Sequence, residues 1–289
     1  MKHKSRRYIE QSYESRLLFW LSQLHQFCDD KEIGYALFGG AAVGAYVGHL
    51  PRKLHDIDLI CDPKDVKKIT AFLEVEGFEE QRTVKARKAG YWKFVFRNHI
   101  YEMIVSVFPM RFTLLDLDRP GYPVLGSYDF SDALARKRLL NVQSLNSHAT
   151  IAVYAIPFED LVVSKLWPTF EPNTIHDLVL LLTSEAATRF ELGYFSACLE
   201  RSSILWEFAA ESLCRFEKSY PKTAWFRLAL NEDRLADRIK LLRQAISDRS
   251  SSACPSYVPL SDSSNGRAKH LALKHRSKQS SSGRVLQAN

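Results

Sequence analysis

Phe38-Gly39-Gly40-Ala41-Ala42-Val43-Gly44-Ala45-Tyr46-Val47-Gly48, then Arg52-Lys53-Leu54-His55 and Asp56-Ile57-Asp58-Leu59-Ile60-Cys61, is the stretch on which the reading of this chain turns. Tyr35-Ala36-Leu37-Phe38 is a short strand that ends at two glycines, and the small and apolar residues from Ala41 to Val47 suit a tightly packed helix. A strand thus delivers Gly39 and Gly40 to a helix mouth. There, backbone amides can approach a ligand without a Cβ in the way, and the helix N-terminus favours phosphate. Positions 41–55 leave room for the helix and a return loop. Asp56 to Cys61 alternates polar and apolar, the pattern of a half-buried strand, and side chains two apart share a face. Asp56 and Asp58 therefore stand side by side and repel unless a cation lies between them. Beside a phosphate cradle, Mg²⁺ bridging to a nucleoside triphosphate resolves that repulsion.

Working outward, Leu17, Trp20, Leu21, Leu24 and Phe27 recur at helical spacing and predict an N-terminal helix within residues 1–29. Pro63-Lys64-Asp65 opens a helix to about Glu76. Tyr91 to Phe96 and Ile100 to Phe108 read as two strands of a hairpin joined across Arg97-Asn98-His99. The pattern then weakens from Pro109 until a strand at Ala149 to Ala155, and Pro157 starts a helix to about Trp167. From Ile175 to Ile246 nearly everything is helical in period, with interruptions near Gly193 and Pro221. The expected class is α+β: a short mixed sheet flanked by helices over residues 30–170, then a helical C-terminal region over 171–247. Residues 248–289, rich in serine and poor in periodic apolar residues, read as a disordered basic tail.

The 289 residues are 46% hydrophobic and 25% charged, values of a globular chain. No apolar run approaches the roughly 18–20 residues of a membrane span, so no membrane partner is expected. The basic Met1 to Arg7 leads into Tyr8-Ile9-Glu10-Gln11, which is no secretory core, and a cytoplasmic location is expected. Five scattered cysteines without a Cys-x-x-Cys pair read as reduced thiols. Of the net charge of +7, residues 1–7 hold +4 and residues 248–289 hold +5, which leaves the body at −2. A footprint for polyanions belongs on the folded surface. Here the basic charge sits on the ends.

Two glycines followed at this range by Asp-x-Asp resemble the hallmark of the DNA polymerase β-like nucleotidyltransferase superfamily. Gly39 to Leu59, with Gly48, Arg52 and Asp56-Ile57-Asp58, is similar to lincosamide-type antibiotic nucleotidyltransferases. It is equally similar to the toxin subunits of type IV toxin–antitoxin (abortive-infection) systems. Pro157 to Leu166, with Glu159-Asp160-Leu161 and Lys165-Leu166, and then His176-Asp177-Leu178 resemble a downstream segment of the same group. The resemblance spans about residues 33–183. It implies a nucleotidyltransferase fold and transfer of an NMP from an NTP to a hydroxyl of an acceptor: a small molecule, a tRNA 3′ end or a protein side chain. It also implies two Mg²⁺ ions, with Mn²⁺ as the alternative, and an antitoxin partner if the chain is of the toxin type. Asp56 and Asp58 would be catalytic metal ligands. Glu102, in Tyr101-Glu102-Met103-Ile104-Val105, would be the third carboxylate, where most relatives carry Asp. Gly39, Gly40, Arg52, Lys165 and Asp177 would bind the nucleotide. On the residues alone, Glu102 also reads as a strand-end charge, Lys165 as a snorkelling helix lysine and Asp177 as a helix N-terminal charge.

Rival readings fit less of the pattern. Gly39-x-Ala41-x-x-Gly44 approximates a dinucleotide fingerprint, but there the ribose-binding acid ends the second strand, whereas here the acids begin it. No Gly-Lys-Ser/Thr follows the glycines, so there is no P-loop. His55-Asp56 and His176-Asp177 lack the further spaced histidines of a histidine–aspartate phosphohydrolase. A binding protein on the same fold, without turnover, is the non-enzyme alternative. An idle pair of close carboxylates, however, only costs stability.

Overall fold

Leu17, Leu21, Leu24 and Cys28 follow one another at helical spacing, and all are buried on one face of α1 (Tyr13–Asp30). The computed structural model describes residues 13–81, 94–109, 111–114, 126–145, 149–166, 172–201, 205–219 and 232–252. After α1 come β1 (Tyr35–Phe38), α2 (Gly39–Val47) and β2 (Asp56–Cys61). Asp62 then accepts a hydrogen bond from Lys64 N and caps a 3-10 turn, Pro63–Asp65, which leads into α3 (Val66–Val75). Next are β3 (Glu79–Glu80), β4 (Phe94–Asn98), β5 (Met103–Pro109), β6 (Arg111–Leu114), β7 (Gly126–Asp129), α4 (Ser131–Ala135), β8 (Arg138–Gln143) and β9 (Thr150–Ala155). The helical half follows, with α5 (Phe158–Lys165), α6 (Pro172–Thr183), a 3-10 turn at Glu185–Arg189, α7 (Leu192–Glu200), α8 (Leu205–Ser219) and α9 (Glu232–Ser252).

Seven strands form one mixed sheet in the order β3-β4-β5-β2-β1-β9-β8, and β6 and β7 pair separately. β1 and β2 are antiparallel, with Phe38 opposite Asp58. β2 runs parallel to β5, and β1 parallel to β9. The centre of the sheet is therefore β5-β2-β1-β9, and the chain leaves β1 at Gly39 beside the start of β2. Helix α2 packs on β8, β1, β2 and the later helices α5 and α6. Its small residues permit that crowding: a Cβ on Gly44 would lie 2.9 Å from Leu50 Cδ2. Gly48, left-handed at φ +88°, ends the helix by donating its amide to Gly44 O. Gln143 N donates to Gly48 O, which pins the return loop to β8.

The expected mixed sheet followed by a helical region is present, with differences in detail. The β4–β5 hairpin turns at His99–Glu102, later than expected, because Asn98 Oδ1 accepts from both Ile100 N and Tyr101 N. α4 and β8 occupy the stretch that had no clear pattern. β8 is an edge strand whose side chains are mostly exposed, Leu139 included, so it carries little alternation. The break near Gly193 falls at the 3-10 turn Glu185–Arg189 and the residues after it, and Gly193 itself lies in the first turn of α7. α9 continues through Ser252, five residues past the expected end of the helical region at 247. Tyr91, Trp167, Pro221 and the chain after Ser252 lie outside the described residues.

Trp20 is 1% exposed and meets Phe78 and Tyr101 edge-on, with centroids 4.8 and 5.3 Å away. Trp20→Ala is expected to cost about 3–5 kcal/mol, read as a lowered urea midpoint, because the cavity it leaves lies among packed aromatic rings that relax only in part.

Candidate active site

Antiparallel pairing places Asp58 opposite Phe38, the residue before Gly39. Gly39 has φ +67°, and a Cβ there would lie 2.5 Å from Asp58 Oδ2. Glycine is thus required twice, by the backbone and by the carboxylate lying against it. Asp56 is exposed and Asp58 half-buried, while Ile57 between them is fully buried, so both acids share the face away from Ile57. As first-turn residues of α2, Gly39 and Gly40 have amides with no earlier helical carbonyl to meet.

Gly40 faces a cation. A Cβ there would lie 2.8 Å from Arg52 Nη2 and 2.6 Å from Leu54 Cδ2. The Arg52 guanidinium is held as a fork: Nε donates to Asp177 Oδ1 at 3.0 Å and Nη2 to Oδ2 at 3.1 Å. Lys165 Nζ, at the end of α5, donates to the same Oδ2 at 2.7 Å. The Asp177 side chain is 1% exposed, that of Lys165 12% and that of Arg52 20%. Burial alone would raise the Asp177 carboxyl, but Lys165 and Arg52 outweigh it and hold the group below the usual carboxylate range. One buried carboxylate against two cations leaves the triad with a net positive charge beside Gly40, while the Asp58 carboxylate lies against Gly39. The sequence readings of Lys165 as a snorkelling lysine and of Asp177 as a helix-end charge are both replaced by this bridge.

Glu102 sits apart from that triad. It is the last residue of the β4–β5 turn, exposed and left-handed at φ +51°. Asp56 pairs with Ile104 across parallel β2 and β5, so Glu102 lies two residues before the strand position level with Asp56. Sequence reasoning missed Tyr13. Its ring lies 5.1 Å from that of His55, and burial, followed by the charge of Asp56, pushes its phenol up to about 12, with Glu102 adding to the effect. No sequence signal marks Tyr13, because only the fold brings the start of α1 to the start of β2. Among the described residues, no three His, Cys, Asp or Glu side chains form a ready-made metal cage. The donor set of Asp56 and Asp58 nevertheless suits Mg²⁺, which binds through one or two carboxylates, keeps several waters and shares substrate phosphates.

No family model matches this chain, and no curated protein matches it. Among solved structures it is similar to the lincomycin-bound lincosamide antibiotic adenylyltransferase LnuA, with 16% identity and a TM-score of 0.42 over 58% of this chain and 95% of that one. It is also similar to ANT(2″)-Ia in complex with adenylyl-2″-tobramycin, with 14% identity and a TM-score of 0.40 over 70% and 98%. A third is an antigenic nucleotidyltransferase-like protein from Paracoccidioides brasiliensis, with 18% identity and a TM-score of 0.34 over 59% and 76%.

Gly39→Ala is expected to destabilise the protein more than Gly48→Ala in paired calorimetric melts. At Gly48 a Cβ meets nothing within 4 Å, so only the left-handed strain of about 1–2 kcal/mol applies, whereas at Gly39 the Asp58 carboxylate must also move. A pH dependence follows from the same cluster. Burial depresses the His176 imidazole, with Asp177 opposing and Arg52 assisting. Below its unfolded value of about 6.5 the unfolded chain takes up the proton first, so this stability is complete above that pH and declines as pH falls toward the folded value. Asp177, likewise depressed, contributes stability that is present above about pH 3.9 and lost below it. Melting temperature against pH should therefore decline less steeply below pH 6.5 in His176→Asn than in the parent. Asp177→Asn, which leaves two cations without their anion, should cost about 3–5 kcal/mol at neutral pH.

Proposed function

We propose that this chain is a nucleotidyltransferase that moves an NMP from an NTP to a hydroxyl group of an acceptor. The observation that carries the reading is the packing of the Asp58 carboxylate against left-handed Gly39 at the mouth of α2, with Arg52 locked over Gly40 by Asp177. A phosphate cradle, a paired-carboxylate edge and a fixed cation thus meet at one strand–helix junction.

In this reading the Gly39 and Gly40 amides donate to the outer phosphate oxygens of the triphosphate, and Arg52 and Lys165 balance their charge. Asp177 takes no part in bond making. It keeps both cations in place, so that no reorganisation is needed as charge shifts to the leaving group. Asp56 and Asp58 would hold Mg²⁺ (or Mn²⁺), and Glu102 would complete a second ion's site. When bound, such ions would supply charge neutralisation to the reacting triphosphate. The acceptor oxygen bonds to the α-phosphorus, the bond from that phosphorus to the β-bridging oxygen breaks, and pyrophosphate leaves. The acceptor's proton passes to the Glu102 carboxylate.

For the acceptor, the body charge of −2 favours a neutral or cationic small molecule over tRNA, since phosphate contacts need clustered Lys and Arg on the folded surface. A protein acceptor, a toxin-type role and an antitoxin partner rest on the sequence resemblance alone. No helix among the described residues is long and apolar enough to cross a membrane.

The test is transfer of α-labelled NTP in the presence of Mg²⁺, offered to a panel of hydroxylated small molecules and to total RNA. Asp58→Asn should lower transfer on the order of 10²-fold or more while the protein stays folded. Transfer by Asp58→Asn at the parent rate would refute the assignment. Removing the residues after Ser252, which keeps α9 whole, should leave small-molecule turnover unchanged. With an RNA acceptor the same truncation should weaken binding and flatten its salt dependence.

A further inference from the structure

Helix α1 belongs to no part of the glycine–aspartate motif, yet its first turns reach the acidic edge of the sheet. Arg16 Nη1 donates to Tyr101 O at 3.3 Å, across 85 positions of sequence, and that carbonyl belongs to the peptide that enters Glu102. Glu102 is one of two non-glycine residues with positive φ among the described residues. A left-handed glutamate is uncommon and persists only where its surroundings over-determine it. Three contacts do so here. Asn98 Oδ1 gathers the amides of Ile100 and Tyr101, Trp20 of α1 packs edge-on against the Tyr101 ring, and Arg16 takes the Tyr101 carbonyl. On the far side of Glu102, Ile104 N donates to His55 O at 3.1 Å, which ties the start of β5 to the residue before Asp56. The Arg16 guanidinium also lies 5.4 Å from the Tyr13 ring centroid, and the Tyr13 phenol is raised by burial first and then by the charges of Asp56 and Glu102.

We infer that Arg16 is a positioning residue: by gripping the Tyr101 carbonyl it fixes the left-handed turn that presents Glu102 beside Asp56, and α1 thereby sets the third acidic group of the site. The inference rests on the nucleotidyltransferase reading, because it gives Glu102 a task toward metal-bound nucleotide. Arg16 acts only through Glu102 and touches no substrate. Removing it frees the turn to relax toward an ordinary backbone conformation and carries the carboxylate away from its place.

The experiment is Mn²⁺ binding in the presence of ATP, followed by the electron paramagnetic resonance of free Mn²⁺. It uses the full chain and the variants Arg16→Met, Arg16→Lys, Glu102→Gln, Arg16→Met with Glu102→Gln, and Asp58→Asn, with a melting curve for each. Arg16→Met should weaken Mn²⁺–ATP binding on the order of tenfold, as the loss of supports behind metal ligands does. Arg16→Lys, which still donates to a carbonyl, should recover most of it. In the Glu102→Gln background, Arg16→Met should add nothing further. If Arg16→Met does not fold, Arg16→Leu, which likewise has no donor, is read in its place. Binding unchanged in the Arg16 variants, or reduced equally with and without Glu102, overturns the inference. If the parent fails to bind Mn²⁺–ATP, or Asp58→Asn binds it as well as the parent, the nucleotidyltransferase reading falls and takes the inference with it. Parent binding that is lost in Asp58→Asn but kept in Arg16→Met overturns the role of Arg16 alone.

Discussion

A single buried carboxylate, Asp177, accepts from both Arg52 and Lys165, and that arrangement ties the loop after α2 to α5 and α6. A buried ion pair is seldom a gain in stability over apolar packing, because desolvation consumes most of the attraction. Its value here is positional. The three groups come from the loop after α2, the end of α5 and the body of α6, and joining them brings the helical half of the chain onto the strand–helix junction. The cations outnumber the anion, so the cluster keeps a surplus positive charge, with the Arg52 guanidinium against Gly40.

That surplus is matched by an opposite excess a short distance away. Asp56 and Asp58 lie on one face of β2, and the central position of β2 between β1 and β5 prevents them from drifting apart. The sheet therefore holds two like charges together against their repulsion while the triad holds a positive charge nearby. On the proposed reading, a ligand that carries both phosphate oxygens and a hard cation satisfies both at once. The strain at Gly39 follows from the same geometry, since the chain must turn sharply from β1 into α2 with the Asp58 carboxylate already against it.

The glycine pair, the Asp-x-Asp strand, the helical period of α1 and the small-residue run of α2 were legible from residue order alone, because each depends on neighbours a few positions away. Strand alternation placed Asp56 and Asp58 on one face, and helical period brought out the buried stripe of α1. β8 was not legible: an exposed edge strand has no buried face to impress on its sequence. Arg52, Lys165 and Asp177 drew notice individually, but their union did not. Nothing local distinguishes a lysine that bridges to a buried aspartate from one that snorkels.

By itself, the sequence determined a glycine turn followed by paired carboxylates, and it placed both on adjoining elements. Only the tertiary structure decided which distant charges complete the site, how Glu102 is presented, and that α1, through Arg16 and Tyr13, reaches the acidic edge at all. The division has a physical cause. Backbone periodicity and turn chemistry act over a few residues and leave their mark in residue order. The pairing of Arg52 with Asp177, 125 positions apart, is selected only when the whole core has packed and water has left the space between them.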